Sequence, residues 1–208
     1  MVDRSASAAA SRNAKVRKRR VLPAEVRVDD LMAAAADLFI ARGIDVTTVD
    51  DIAAKAGVGK GTFYHYFDTK WDVIVALRDR FTAEFVARAD AAVVACPLDD
   101  HTGRLSAWLS GAIETYLDRY ELHDIVFHDF THSQRRSREK DAVIAQLVLL
   151  LEDGERAGVW SFPNARMAAI IVFDGMHGVV DDAIASGQRD PNRLVKLLGK
   201  AFSSMLKA

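Results

Sequence analysis

The segment from Thr47 to Lys70 constrains the fold more than any other part of the chain, because a glycine separates two short helical patterns in it. Thr48 suits the N-cap of the first helix, and Gly57 directly follows its last apolar position. The second pattern places Phe63 and Phe67 on one side, one turn apart. Two short helices joined by a tight glycine turn are therefore predicted.

The second of these helices has a polar outward face. Lys60, Thr62, His65 and Tyr66 project away from the side of the two phenylalanines. The flanking glycines are poor helix formers, which favours a close approach of the backbone to a ligand such as a phosphate or a base edge. A helix-turn-helix that binds DNA is predicted, and the alternative is an ordinary amphipathic helix pair within an α-domain.

Residues 31–77 resemble the tetracycline-repressor (TetR) family of transcriptional regulators. The matching stretches are AADLFIARG and TTVDDIAAKAGVGKGTFYHYFDTK, and the chain departs from the family pattern at Trp71, where an acidic residue is usual. The resemblance implies an all-α fold of about nine helices, with an N-terminal three-helix helix-turn-helix domain. A long helix would join it to a C-terminal helical domain for ligand binding and dimerisation. The expected boundaries are a disordered basic arm at 1–22, a DNA-binding domain at 23–70 and a regulatory domain at 71–208.

Candidate DNA-binding residues follow from this assignment. Base-edge contacts are expected from the side chains near the start and middle of the second helix, with one glycine allowing close approach: Lys60, Thr62, His65 and Gly61. Phosphate contacts are expected at helix N-termini and from aromatic hydroxyls and one lysine: Thr47, Thr48, Tyr64, Tyr66 and Lys70.

The charge distribution agrees with a DNA-binding N-terminal part. Residues 1–70 contain 12 Lys and Arg residues against 9 Asp and Glu residues, although the whole chain has a net charge of −1. Six of the basic residues crowd between Arg12 and Arg20, where no apolar face can order the chain. This segment is expected to be an arm that follows phosphates or enters the minor groove, and the alternative is a solvated tail.

The C-terminal half consists of further helical patterns. Separate helices are predicted from Leu105 to Tyr120, from about Leu122 to His132, and from Asp141 to Arg156. The segment Ala165–Ser186 is apolar around most of its circumference, and a last amphipathic helix follows Pro191. These two helices could fill a monomer core. In the resembling family they form a dimer interface, so a homodimer is predicted.

The resemblance also implies an unknown small-molecule effector bound between the helices of the regulatory domain. The aromatic and soft side chains that could line its pocket are Trp108, Tyr116, Phe127, Phe130, Trp160 and Met176. Each of them could instead belong to the core.

Few features indicate other chemistry. No nucleophile elbow, P-loop or dinucleotide fingerprint is present, so no enzymatic activity and no cofactor are predicted. His123, His128 and His132 lie near Asp124 and Asp129, but polar surface or pocket lining is favoured over a metal site there. Cys96 is the single cysteine, which fits a reducing cytoplasm, and neither a membrane span nor a secretory signal is predicted.

The sequence therefore predicts a cytoplasmic, homodimeric repressor that binds a pseudo-palindromic double-stranded DNA operator and responds to a ligand. The alternative is a DNA-binding adaptor or architectural protein whose helical core binds a protein partner. An all-α enzyme with a coincidental helix pair is a third interpretation, which no residue supports.

Overall fold

A computed structural model of the chain describes residues 24–127 and 137–206, and all regular structure in these residues is helical. The eight helices are α1 (Ala24–Arg42), α2 (Val49–Lys55), α3 (Lys60–Tyr66), α4 (Lys70–Val94), α5 (His101–Phe127), α6 (Arg138–Arg156), α7 (Ala165–Ser186) and α8 (Pro191–Leu206). The predicted all-α class is confirmed. None of the helices in these residues is long and apolar enough to cross a membrane. The basic arm lies outside the described residues.

Local capping fixes the helices of the predicted DNA-binding domain. Thr48 accepts a hydrogen bond from the Asp51 amide, and the Asp51 carboxylate accepts one from the Thr48 amide, which is a complete capping box. Thr69 and Asp72 repeat this arrangement at the start of α4. Gly57 has a φ of 68°, a left-handed conformation that permits the tight turn between α2 and α3.

The N-terminal core is completed by a helix from the C-terminal part of the chain. Phe39, Ile52 and Phe63 of the first three helices are fully buried. Leu122 and Val126 of α5 are buried in the same cluster, together with residues of the first half of α4. The core that supports the predicted DNA-binding helices therefore extends well past Lys70.

The end of α5 agrees with the prediction of two helical segments. Separate helices were expected up to Tyr120 and from Leu122, and α5, which runs to Phe127, consists of two segments that meet at a kink at Arg119. Arg119 has non-helical dihedral angles (φ −135°, ψ 22°), so the helix is kinked there. The sequence contains no proline or glycine near this kink. Beyond it, Leu122 and Val126 are buried in the N-terminal core.

A second, larger core unites α4 to α8. Trp108, Leu147 and Val172 lie at its centre and are fully buried. Helices α4 and α5 approach closely at Gly111, where an added Cβ would come within 2.9 Å of the Ala89 Cα. This tight crossing joins α4, which begins in the predicted DNA-binding domain, to α5, whose last turns pack into the core of that domain.

Helices α7 and α8 also carry an apolar surface that no described residue of the chain covers. Ile171 is 43 % exposed and Leu197 is 55 % exposed, and Met167, Val179 and Met205 are exposed as well. An added Cβ at Gly178 of α7 would meet no atom within 4 Å. Nothing in the described part of the chain therefore requires a glycine at this position.

Candidate nucleic-acid interface and ligand cavity

Helix α3 is amphipathic in the sense that DNA recognition requires. Phe63 is fully buried and Phe67 nearly so, and their rings pack with centroids 5.7 Å apart. On the other side, Lys60, Gly61, Tyr64 and His65 are exposed, while Thr62 and Tyr66 are partly exposed. The structure thus brings the predicted base-contacting residues together on one outward face.

Lys60 is held by an acidic neighbour in the DNA-free protein. Its Nζ lies 2.9 Å from the Asp50 Oδ1 atom, and both side chains are largely exposed. The hydrogen bond to Asp50 and the charge of that carboxylate raise the pKa of Lys60, so the ammonium stays protonated. Contact with a base or a phosphate would require Lys60 to exchange this ion pair for the DNA.

Of the two threonines before α2 that were predicted to contact phosphate, Thr47 does not agree with the prediction. Thr47 is buried, and its hydroxyl donates to the Gly43 carbonyl at 2.7 Å, so the predicted phosphate contact by this side chain is wrong for the observed conformation. A buried hydroxyl in a turn is satisfied internally and has no access to DNA. Thr48 is exposed at the helix N-terminus, where its contact to phosphate stays a prediction.

Lys70 has a structural role that the sequence did not reveal. Its ammonium donates to three backbone carbonyls, those of Ile44 at 2.7 Å, Asp45 at 3.1 Å and Thr47 at 3.2 Å. An ammonium has three donors, so all of them are used within the protein. The predicted phosphate contact of Lys70 is therefore not what this conformation provides, because the side chain instead fixes the turn between α1 and α2.

A cavity of about 350 Å³ lies between α4, α5, α6 and α7. Its apolar wall is formed mainly by four phenylalanine rings, those of Phe81, Phe85, Phe127 and Phe173. The polar wall consists of two histidines, residues at the start of α6 and one polar residue each of α4 and α7. These residues are His123, His177, Ser137, Glu139, Lys140, Thr82 and Asp174. Its size and its largely apolar lining suit a small organic molecule.

The two histidines of this cavity pack against each other and against Tyr116. The ring centroids of His123 and Tyr116 are 4.4 Å apart, and those of His177 and Tyr116 are 4.9 Å apart. Burial, and then the neighbouring His123, lower the pKa of His177 to about 4. Burial also lowers the pKa of His123, against the opposing effect of Asp124. Both imidazoles are therefore neutral at physiological pH.

A second cavity, of about 460 Å³, shares His123 and Phe127 with the first. Its polar wall contains two carboxylates, Asp124 and Asp181. The Tyr116 hydroxyl donates to Asp181 at 2.5 Å, and burial raises the pKa of Tyr116 above its ordinary value. Tyr116 therefore stays protonated and orients the Asp181 carboxylate.

The structure supports only part of the predicted pocket lining. Phe127 lines both cavities and Tyr116 lines the second, whereas Phe130 lies outside the described residues. Trp108, Trp160 and Met176 line neither cavity, and their predicted role is not supported. They are buried core residues, and the indole nitrogens of Trp108 and Trp160 donate to Gln146 and to the Leu151 carbonyl.

The histidine cluster gives no metal site in the described residues. Within residues 24–127 and 137–206, no three His, Cys, Asp or Glu side chains are grouped so that they could hold a metal ion. His128, Asp129 and His132 lie outside these ranges. Within the described chain, His123 is instead part of the cavity wall.

Three cavity residues were not predicted from the sequence: His177, Asp181 and Lys140. His177 could have been noticed, because it is the only histidine in a helix that is otherwise apolar around most of its circumference. A polar residue in such a helix is favoured only where it lines a cavity or finds a partner. Asp181 lies in the same helix, so the same argument applies to it, whereas Lys140 of α6 follows no comparable pattern because exposed charges on helices are common.

One contact connects the cavity directly to the predicted DNA-binding domain. The Arg78 side chain of α4 donates from Nε to the Val126 carbonyl, and its guanidinium carbon lies 5.8 Å from the ring centroid of Phe127. Val126 is buried in the N-terminal core, and the adjacent Phe127 lines the cavity. The last turn of α5 therefore faces the cavity on one side and the core under the helix-turn-helix on the other.

The comparison with known proteins agrees with this architecture. Residues 31–77 match the family model described as bacterial regulatory proteins, tetR family. Residues 31–77 therefore carry the N-terminal domain that this family model describes. The matched segment covers α2 and α3 completely and extends into α4. The family model describes regulatory proteins, as the sequence predicted for this part of the chain.

Two HTH-type transcriptional regulators are similar to this chain over part of their length. The HTH-type transcriptional activator FasR of Mycolicibacterium smegmatis is 32 % identical over 103 residues, which are 50 % of this chain and 44 % of that protein. The HTH-type transcriptional repressor KstR2 of the same species is 31 % identical over 124 residues, which are 55 % and 60 %. The chain thus spans roughly half the length of these relatives.

The fold extends further than the sequence similarity. The transcriptional regulator FadR of Bacillus subtilis, solved in complex with stearoyl-CoA, superimposes with a TM-score of 0.71. The match covers 86 % of this chain and 97 % of FadR at 19 % sequence identity. Both parts of the TetR fold are therefore present here, the helix-turn-helix and the C-terminal helical domain.

Proposed function

We propose that this TetR-family chain is a sequence-specific DNA-binding transcriptional regulator, a repressor that acts as a homodimer on a pseudo-palindromic operator and is released by a small-molecule effector. The observation that carries the proposal is the outward face of α3, where Lys60, Gly61 and His65 are exposed on a helix anchored by Phe63. A helix with a fixed buried side and a free polar side can enter the major groove.

The homodimer is supported by the uncovered apolar surface of α7 and α8. Five apolar side chains of these two helices are exposed. A concentration of exposed apolar side chains on one pair of helices indicates an interaction surface. Gly178 would allow the backbones of two α7 helices to approach closely. A two-fold dimer would then present two α3 helices to successive major grooves, about 34 Å apart.

Effector control is supported by the position of α5. A ligand in the first cavity would touch His123 and Phe127, and the same turn of α5 packs Val126 into the N-terminal core. We expect two arrangements of α4 and α5, of which the ligand binds one more tightly. The ratio of its affinities for the two arrangements then sets how much it changes the affinity for the operator.

The DNA-binding proposal is tested by selecting operators from random duplexes and titrating variants against the selected and a scrambled sequence. Lys60→Ala and His65→Ala are each expected to cost about 1–3 kcal/mol on the selected operator and much less on scrambled DNA. Equal losses on both sequences would contradict a base-reading role for α3. The absence of any selected, salt-dependent sequence would contradict the regulator itself.

Lys70→Ala provides a matched comparison, because Lys70 is a lysine of the same domain with internal partners. Removing three carbonyl hydrogen bonds is expected to destabilise the protein by about 1–2 kcal/mol, measured by denaturant unfolding. Lys60→Ala removes only an exposed ion pair and should change stability very little. Unchanged stability in Lys70→Ala, with weaker binding to all DNA, would restore its assignment to phosphate.

The dimer surface is tested by Ile171→Glu. Two-fold symmetry introduces the charge twice into an apolar interface, so the dimer dissociation constant is expected to rise about a hundredfold. Leu149→Glu is the control, since Leu149 is an equally apolar residue exposed on α6. Analytical ultracentrifugation should show a monomer for Ile171→Glu and an unchanged dimer for Leu149→Glu. The reverse pattern would place the interface elsewhere.

A further inference from the structure

We propose that the effector is an organic cation, a protonated amine on an apolar or aromatic body, bound in the two adjoining cavities with its charge beside His123, which lines both. The inference rests on the proposed function in one respect, because it takes these two cavities as the effector site. It adds the chemical class of the ligand, which follows from the charges, the hydrogen-bonding groups and the rings of the two cavity walls.

The charges of the described walls favour a cation. Four carboxylates line the two cavities, Glu139 and Asp174 in the first and Asp124 and Asp181 in the second. Among the described lining residues the single fixed cation is Lys140, and its Nζ lies 2.6 Å from the Asp174 Oδ1 atom. The described residues of the walls therefore carry a net negative charge, which favours a cation over an anion.

The hydrogen-bonding groups point to the same ligand. The Nδ1 atom of His177 lies 3.2 Å from the Phe173 carbonyl oxygen, which can only accept, so the proton of this neutral ring is on Nδ1. The Nδ1 atom of His123 lies 3.3 Å from the Asp124 carboxylate, which fixes its proton in the same way. Each histidine is left with an Nε2 atom that can only accept. A ligand with N–H donors fits these groups.

The aromatic rings supply further sites for a positive charge. The centroid of the Phe81 ring lies 5.4 Å from that of His123 and 5.8 Å from that of Phe127. Both phenylalanine rings line the cavity beside the histidines. The Lys140 ammonium already lies 5.4 Å from the centroid of the Phe173 ring. A cation near an aromatic face is thus a contact that this wall makes with its own side chain.

An anionic effector would meet the opposite conditions. The phosphate groups of an acyl-CoA, the ligand present in the FadR structure, would have to displace Asp174 from Lys140 and remain close to Glu139. Bringing like charges together is unfavourable. The described residues therefore distinguish this cavity from one built for an acyl-CoA headgroup.

The test compares three probes of one shape, phenylbutylamine, phenylbutanol and phenylbutyrate, by titration calorimetry with the full chain at neutral pH. The amine is expected to bind at least about tenfold more tightly than the alcohol, and the carboxylate most weakly. Equal affinities, tighter binding of phenylbutyrate, or no binding of the amine would each overturn the inference.

Matched variants locate the charge. Asp181→Asn keeps an acceptor for the Tyr116 hydroxyl and is expected to weaken amine binding about three- to tenfold without changing the alcohol. Asp124→Asn is a second variant with the same expectation, and Asp90→Asn, on the exposed side of α4, is the control that should change neither. Equal weakening of the amine and the alcohol would show that the carboxylates do not contact the charge.

DNA binding is measured separately on the same samples. Preference for the amine together with no selected operator would leave the ligand class standing and overturn the proposed regulator. Operator binding without any preference for the amine would do the opposite. The two proposals can therefore fail independently.

Discussion

Phe63→Ala is expected to lower the free energy of unfolding by about 3–5 kcal/mol and to abolish specific DNA binding. Phe63 is fully buried beneath α3, where it contacts the Phe67 ring. A helix of seven residues is not stable by itself in water, so its position depends on this anchor. Denaturant unfolding followed by circular dichroism measures the loss of stability, and binding to a selected operator measures the loss of recognition.

The adjacent Tyr64 provides the control for this prediction. Its side chain is 49 % exposed and its ring meets that of Phe63 edge to face. Tyr64→Ala is expected to change stability by less than about 1 kcal/mol, while weakening binding to operator and scrambled DNA alike if its hydroxyl contacts a phosphate. A large loss of stability in Tyr64→Ala, or a small one in Phe63→Ala, would contradict the observed orientation of α3.

Acid is expected to destabilise the protein through His177. In the unfolded chain a histidine has a pKa near 6.5, whereas burial lowers the pKa of folded His177 to about 4. Between these two values the unfolded state binds a proton that the folded state does not bind. The contribution is therefore fully present above pH 6.5 and is lost as the pH falls towards 4, by about 3 kcal/mol.

His177→Asn isolates this contribution, because the asparagine amide can still donate to the Phe173 carbonyl but does not titrate. Denaturant unfolding of both proteins at several pH values should give parallel curves above pH 7 and a shallower decline for His177→Asn below pH 6.5. Curves that stay parallel down to pH 4 would show that His177 is accessible to water in the folded protein, contrary to its packing against Phe173 and Tyr116.

Local sequence determined most of the helix ends. The capping boxes at Thr48 and Thr69, the left-handed Gly57 and the Pro191 start of α8 all involve residues within four positions of each other. Such signals can be recognised without knowing what the helices pack against. The outward face of α3 could be predicted for the same reason, since Phe63 and Phe67, about one helical turn apart, mark the buried side of the helix.

The cavity could not be predicted in this way, because four helices distant in sequence form it. Large aromatic residues such as Trp108 and Trp160 look suitable for a pocket, but their burial and indole hydrogen bonds make them core residues. The roles of Thr47 and Lys70 were also hidden, because their partners are backbone carbonyls that become neighbours only when the turn after α1 has formed. Composition does not distinguish a lysine that binds DNA from one that binds carbonyl oxygens.

The insertion of α5 into the N-terminal core determines where hybrid regulators could be joined. Leu122 and Val126 fill space between α1 and α4, so a chimera cut after Lys70 would supply a foreign α5 to a core shaped for these two side chains. A DNA-binding head transplanted to another sensor should therefore carry the last turns of α5 as well as α1 to α4. In this molecule the exchangeable unit is discontinuous in sequence, and a single crossover point cannot separate specificity from sensing.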